Sequence, residues 1–238
     1  MLIKDETKRL DVIFNKELTS GLGTNEIVDI IKSQSSSTLL EILNNTEFLE
    51  ANKIGKYQII DIIEVQSSDV ILQILSNYAL LEKCKLESYE VKTLFRPLNE
   101  KDKLKFFENA DYIKETLKLS EYEIADMISS ITDEKVKEGL MQSYELSNGS
   151  KVSIIKNFSD DEKEKLILGD ELDLNYMDFE TIMSSMGIDN LIQLLNNNTD
   201  FFKESGVRLH KVVEMLNNEK QKEFVSKIDE LQLPNPYN

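Results

Sequence analysis

Four short segments decide the fold, because they repeat one apolar pattern at a nearly constant interval. The segments are Ile27-Val-Asp-Ile-Ile, Ile59-Ile-Asp-Ile-Ile, Val91-Lys-Thr-Leu-Phe and Ile124-Ala-Asp-Met-Ile. They begin at positions 27, 59, 91 and 124, so their spacing is constant to within a single residue. Apolar residues at i, i+3 and i+4, as in Ile27, Ile30 and Ile31, predict one face of a helix. We call this predicted segment helix A.

A second apolar block follows helix A and predicts a helix B, so each repeat is expected to be a helical hairpin. The blocks are Leu39, Leu40, Ile42 and Leu43, then Val70, Ile71, Ile74 and Leu75, then Leu104, Phe106 and Phe107. Short polar residues precede them and are predicted to cap helix B, namely Ser35, Ser67, Asn99 and Thr132. A further cap, Ser159-Asp-Asp-Glu, matches the capping-box pattern.

A column of asparagines marks the end of helix B. Asn45, Asn77 and Asn109 recur with the same period as helix A, with Ser143 in the equivalent position. Asparagine tolerates the left-handed conformation that ends a helix, so we expect that conformation here. Apolar pairs follow and indicate a short third helix: Phe48-Leu49, Leu80-Leu81 and Tyr112-Ile113.

The later repeats are less regular, and their period shortens to about 27 or 28 residues before it recovers. The segment 194–202 nevertheless repeats the theme of 42–48 with one inserted residue. We therefore predict an all-α solenoid of about seven helical hairpins, each of roughly 27–33 residues. It forms one domain, 1–238, with an N-terminal capping helix at 1–19, repeats at 20–208 and C-terminal capping helices and tail at 209–238. The alternative is a compact helical bundle.

Charge and composition argue against nucleic acid and membrane partners. The 238 residues include 44 acidic and 28 basic side chains, and the formal net charge of −16 repels phosphate backbones and anionic lipid. The arginines, which suit bidentate phosphate recognition, are only Arg9, Arg96 and Arg208. No stretch approaches the roughly 18 apolar residues of a membrane span. The single cysteine, Cys84, suits a reducing compartment. We expect a cytoplasmic protein, or one secreted into a host cytosol.

The repeat resembles α-solenoid families in general, on the pattern of helix A, polar turn and helix B ending in asparagine. It lacks a tryptophan for tetratricopeptide units and the Thr-Pro-Leu-His of ankyrin repeats. The hairpin spacing is also similar to the repeats of transcription-activator-like effectors, whose base-reading turn would correspond to 33–36. Acidity argues against the DNA binding that this resemblance implies. Degenerate, Ile-, Asn- and Lys-rich repeats also resemble helical arrays in effector proteins of intracellular bacteria.

The residues that could carry chemistry do not form a recognisable site in the sequence. His210 is the only histidine and has no triad or metal partners nearby, and Cys84 is expected to be a core residue. Gly21-Leu-Gly-Thr lacks the Lys-Ser/Thr of a phosphate loop. An acidic cluster lacks the spacing of a calcium loop; it comprises Asp160, Asp161, Glu162, Glu164, Asp170, Glu171 and Asp173. We therefore expect no enzymatic activity, no cofactor and no metal.

The favoured function is a protein-interaction scaffold whose partner presents a basic patch. Tyr57, Tyr89 and Tyr122 recur with the period of the repeat, just before the apolar core of helix A, and are candidates for partner contact. The alternative for these tyrosines is packing between repeats. The alternative function is an acidic nucleic-acid mimic that occupies the basic cleft of a nucleic-acid enzyme. An enzyme or nucleic-acid binder with an unrecognised site is the third hypothesis.

Overall fold

The computed structural model describes residues 10–11, 13–15, 21–169 and 172–231. The described residues form helices joined by short turns and contain no strand, which confirms the predicted all-α repeat class. Contacts group the chain into two compact units, 1–123 and 124–238. The predicted N-terminal capping helix lies mostly outside the described residues, as does the tail after residue 231. The division into caps and repeats stays a prediction.

The first unit contains repeats of helix A, helix B and a shorter third helix. The helices are α1 (Thr24–Lys32), α2 (Ser36–Asn44), α3 (Thr46–Ala51), α4 (Lys56–Glu64), α5 (Ser68–Leu75), α6 (Tyr78–Lys83), α7 (Ser88–Phe95), α8 (Glu100–Phe107) and a π-helix (Tyr112–Thr116). Helix α9 (Glu121–Ser129) begins in this unit and ends in the next. Successive A helices contact each other, α1 with α4 and α4 with α7, so the repeats stack side by side.

The second unit continues with hairpins of the same kind. Its helices are α10 (Glu134–Ser143), α11 (Asn148–Ile155), α12 (Asp160–Leu168), α13 (Tyr176–Met183), α14 (Ile188–Asn197), α15 (Thr199–Glu204), α16 (Leu209–Met215), α17 (Asn218–Ser226) and a short 3-10 helix (Ile228–Glu230). The A helices α11, α13 and α16 contact one another in order. Helix α15 corresponds to α3, so the similarity of 194–202 to 42–48 reflects a shared third helix.

The apolar columns of helix A form the core, with one exception. In α1, the predicted helix is confirmed, and Ile27 and Ile31 are buried whereas Ile30 is exposed. The equivalent residues of the next repeats, Ile62 and Leu94, are fully buried. Ile30 belongs to the first A helix, where packing from an earlier repeat is missing among the described residues.

The predicted side-chain caps of helix B are correct at two of the four positions. Ser35 accepts a hydrogen bond from the N–H of Thr38, and Asn99 accepts one of 2.9 Å from the N–H of Asp102. Ser67 occupies the N-cap position, but its side chain accepts no hydrogen bond from the helix. The prediction of Thr132 is wrong, because the turn is longer there. Asp133 is the cap instead, and its carboxylate accepts from two backbone N–H groups.

The predicted capping box at Ser159 is also wrong, although Ser159 does occupy the N-cap. Its backbone N–H and its hydroxyl both donate to the carboxylate of Glu134, at 2.5 and 2.9 Å. Glu134 is the first residue of the preceding helix B. Glu134 thus accepts from the backbone N–H that a capping box would pair with the side chain of Glu162.

The asparagine column does not adopt the left-handed conformation. Asn45 and Asn77 have φ of −92° and −112°, and their side chains cap the third helix by accepting from Phe48 N–H and Leu80 N–H. Among the described residues, the left-handed ones lie instead at the junctions between repeats, after the third helix where one is present: Lys53, Lys85, Lys118, Glu145, Asp173 and Gly206. The short third helix itself is confirmed.

At the first four junctions the residue that follows the left-handed residue is buried: Ile54, Leu86, Leu119 and Leu146. At the first junction, Ile54 is buried and its N–H donates to the carbonyl of Leu49 at 2.9 Å, and Leu86 repeats this bond to Leu81. Two intervals between successive junctions, 118–145 and 145–173, are shorter than the others. In these two repeats, the described residues include no third helix between helix B, α10 or α12, and the junction.

The last hairpin has polar residues where the preceding hairpin is apolar. Helix α17 carries Asn218, Gln221 and Lys222 at the positions that α14 fills with buried isoleucine and leucine. A stack needs such a polar outer face on its terminal repeat. The C-terminal cap itself stays a prediction. Val225, exposed by 60%, is the apolar residue left on that face.

Candidate functional site: the tyrosine row

The three predicted tyrosines occupy the same place in consecutive A helices of the first unit. Tyr57, Tyr89 and Tyr122 are the second residues of α4, α7 and α9. Their exposed fractions are 71%, 65% and 72%. Rings packed between repeats would be largely buried, so these values do not fit the packing alternative. We call Tyr57, Tyr89 and Tyr122 the tyrosine row.

The first turn of each of these helices is held by a side chain one residue after the tyrosine. The backbone N–H of the residue before each helix donates to a side-chain oxygen of that residue: Gly55 to Gln58 at 3.1 Å, Glu87 to Glu90 at 3.0 Å, and Ser120 to Glu123 at 2.8 Å. These bonds satisfy N–H groups that a helix start leaves unpaired. These hydrogen bonds stabilise the first helical turn, which carries the tyrosine, in α4, α7 and α9.

A buried carboxylate links two of these helix starts. Lys56, the first residue of α4, forms an ion pair of 2.9 Å with Glu90 of α7, and the Glu90 side chain is only 4% exposed. Burial acts to raise the pKa of Glu90, but hydrogen bonds from Lys56 and from the N–H of Glu87 outweigh it and leave that pKa below its ordinary value. The same pair raises the pKa of Lys56.

Lysine ammonium groups lie over the rings of the tyrosine row. The Nζ of Lys92, a partly buried residue of α7, is 5.7 Å from the ring centroids of both Tyr89 and Tyr122. The Nζ of Lys56 is 5.8 Å from Tyr57. Both lysines are within the range of a cation–π interaction. The rings of Tyr89 and Tyr122 are thus spaced so that one cation contacts both.

Lys92 was not predicted as a site residue, although its position in the repeat is unusual. Lys92 stands in a column that the neighbouring A helices fill with buried apolar residues, Val28, Ile60 and Ala125. A charged residue in such a column indicates a special environment. Here that environment is the pair of aromatic faces.

A related cluster occurs in the second unit at a different helix position. The guanidinium of Arg208 lies 5.2 Å from the ring of Tyr176, the first residue of α13. Arg208 also donates to both carboxylate oxygens of buried Glu180, at 2.9 and 3.0 Å, and these bonds lower the pKa of Glu180. At the row position itself the second unit has Gly149, Met177 and, in α16, His210.

The other candidate residues are not brought together. Cys84 is buried, and burial raises the pKa of its thiol to about 11. His210 is exposed. Asp160, in the acidic cluster, accepts from Gly187 N–H and Asn190 Nδ2, both at 2.8 Å. Part of that cluster, residues 170–171, lies outside the described residues.

The described part of the chain contains neither a recognisable metal-ion site nor a membrane-spanning helix. Among those residues, no group of three or more His, Cys, Asp or Glu side chains is arranged to hold a metal ion. No helix there is both long enough and apolar enough to cross a membrane.

The chain also has no detected relative. It matches no protein-family model, and no curated protein and no solved structure matches it. The tyrosine row and its two lysines are therefore the features on which a functional proposal rests.

Proposed function

We propose that this chain is a non-enzymatic interaction scaffold that binds a protein partner through the tyrosine row. The observation that carries the proposal is the exposure of three tyrosines at one helix position in consecutive repeats. Tyrosine combines a large apolar area with a polar tip and is enriched at protein interfaces. Three such rings at fixed spacing supply anchors for an extended contact.

The partner is expected to present a basic patch. The chain carries a net charge of −16, and exposed acids lie beside the row: Asp61 one turn after Tyr57, Glu87 before Tyr89, and Glu121 before Tyr122. Complementary charge steers association and discriminates against wrong partners. Lys56 pairs with Glu90 and Lys92 lies over Tyr89, so these two lysines only partly offset the negative charge of the exposed acids.

The alternative, an acidic nucleic-acid mimic, requires its acids to be concentrated on one face. Several acids instead pair with lysines on their own helix, as in Glu162 with Lys165 at 2.6 Å and Asp200 with Lys203 at 3.0 Å. Such pairs reduce the phosphate-like field. The interaction scaffold is therefore the better supported proposal.

Site-specific photo-cross-linking tests the scaffold. p-Benzoylphenylalanine replaces Tyr89 in one variant and Gln73, an exposed residue of α5 in the same unit, in the control. In cell lysate we expect one discrete protein adduct from position 89 and none from position 73, with a yield that falls as the ionic strength of the lysate is raised. Equal adducts from both positions, or none from position 89, would refute the proposal. A partner that cross-links only at position 73 and is a nucleic-acid enzyme would favour the mimic.

A further inference from the structure

We propose that the partner segment bound by the tyrosine row is a polyproline II helix that carries basic residues. The inference rests on the proposed function, because it takes the row as the contact surface, and it adds the conformation and the chemistry of the ligand. Three properties of the row carry it: the spacing of the tyrosines, their exposed surface and the state of their hydroxyls.

The tyrosines repeat at about the pitch of a polyproline II helix. The ammonium of Lys92 is 5.7 Å from the ring centroids of Tyr89 and Tyr122, so these two centroids are no more than twice that distance apart. Tyr57 and Tyr89 occupy the same position on the contacting helices α4 and α7, and packed helices lie about 8–10 Å apart. A polyproline II helix advances about 9 Å per turn of three residues. Residues three apart on such a segment therefore match consecutive tyrosines.

Most of the surface of each tyrosine is open to a ligand. Tyr57, Tyr89 and Tyr122 are exposed by 71%, 65% and 72%, and these fractions already account for the cover that Lys56 and Lys92 provide. The two lysines therefore leave the row accessible. Exposed aromatic side chains are the surfaces on which proline-rich segments dock in known recognition domains.

The phenol hydroxyls favour a polyproline II helix over other peptide conformations. The hydroxyls of Tyr57, Tyr89 and Tyr122 form no hydrogen bond with another described residue, so each can donate to a ligand. The carbonyls of a polyproline II helix have no internal hydrogen bonds and can accept from these donors. An α-helix returns a residue to the same face after about 10.5 Å, but its carbonyls are already bonded within the helix. An extended strand places residues three apart on opposite faces.

The charges around the row add the requirement for basic residues. Asp61 is exposed one helical turn after Tyr57, and Glu87 and Glu121 are exposed beside the other two tyrosines. A polyproline II helix has three residues per turn, so one position of each turn can be arginine while the other two are proline. Such a segment offers proline rings to the tyrosines and guanidinium groups to the carboxylates.

An NMR titration with defined peptides tests the conformation. The chain carries ¹³C-labelled tyrosine rings, and the probe is Ac-(Pro-Pro-Arg)₃-NH₂, with Ac-(Gly-Gly-Arg)₃-NH₂, of equal length and charge, as the control. We expect the signals of the tyrosine row to shift, with an affinity for the proline peptide about tenfold or more above that for the glycine peptide, because its conformation is preformed. Equal affinities, no shift at the row, or tighter binding of an alanine-based helical peptide of the same charge would overturn the inference.

Three substitutions make the test specific to the row. Tyr89→Ala removes the central ring and is expected to lower the affinity for the proline peptide about tenfold or more. Tyr78→Ala is the matched control, since Tyr78 lies in α6 outside the row and is 45% exposed, and it is expected to leave the affinity unchanged. Tyr89→Phe keeps the ring and removes the hydroxyl, so we expect a smaller loss of roughly three- to tenfold. Equal losses from both alanine variants, or no loss from Tyr89→Phe, would contradict the inference.

The titration and the cross-linking fail independently. Binding of the proline peptide at the row without an adduct at position 89 would support the polyproline II ligand and refute the scaffold function. An adduct at position 89 without a preference for the proline peptide would support the scaffold and refute the polyproline II ligand.

Discussion

The two compact units use the same stacking devices but differ at the second residue of helix A. In the first unit this residue is Asn25 in α1 and then Tyr57, Tyr89 and Tyr122, whereas the later repeats have Gly149, Met177 and His210. Both units keep buried apolar columns and left-handed junctions. A glycine at the row position shows that a repeat can stack without a tyrosine there. This supports the proposal that the row serves a purpose other than stacking. Substitutions in the core, at the junctions and at Glu90 test the stacking that the two units share.

The largest loss of stability is expected from substituting a core residue on which the stacking of the repeats depends. Phe95, fully buried in α7, packs at 5.4 Å from the rings of both Phe106 and Phe107. Phe95→Ala is expected to lower the free energy of unfolding by about 3–5 kcal/mol, because it removes apolar contacts and leaves a cavity. Urea unfolding measures this loss. A loss below about 1 kcal/mol would mean that the core is not as described.

A smaller loss of stability is expected from substitutions at the left-handed junction residues. Gly206 has φ of +76°, and an added Cβ would meet Tyr176 only at ordinary contact distances of 3.8–3.9 Å. Gly206→Ala is expected to cost about 1–2 kcal/mol through backbone strain alone. The matched change Lys85→Gly, at φ of 56°, is expected to stabilise the chain slightly. Thermal melts compare both variants, and a stabilising Gly206→Ala would contradict the junction geometry.

An effect of about 1 kcal/mol is expected from the charge of Glu90, which links two helix starts of the first unit. Its folded pKa lies below the ordinary 4.5, so its contribution to stability is fully present above pH 4.5 and is lost as pH falls through the folded pKa. Glu90→Gln is expected to melt below the parent at pH 7, with the difference shrinking under acid. A difference that grows under acid would contradict this sign.

The helices were predictable from the sequence because the interactions that form them join residues only a few positions apart. Apolar columns such as Ile59 and Ile63 and short polar caps such as Ser35 act within a few residues, so their period was visible. The junctions were not, because Lys53 and Lys85 are not residues that usually adopt a left-handed conformation. Asn45 was misassigned for a related reason, since asparagine suits both a left-handed turn and an N-cap.

The candidate site was predictable only in part. The recurrence of Tyr57, Tyr89 and Tyr122 was visible, but a tyrosine ring can be buried or exposed, and the choice depends on neighbours that are distant in sequence. The bridging position of Lys92 likewise requires the distance between two repeats. The link between Lys56 and Glu90 joins one repeat to the next and has no local pattern.

The central claim is that the tyrosine row binds a partner and does not hold the stack together. The most direct measurement combines a thermal melt with the cross-linking assay on a chain in which Tyr57 and Tyr122 are serine and position 89 carries p-benzoylphenylalanine, together with a melt of the triple serine variant. Exposed side chains of this kind contribute within about 0.5 kcal/mol each, so the melting temperatures are expected to stay close to that of the parent while the adduct is lost. A clearly lowered melting temperature, or an undiminished adduct, would contradict the claim.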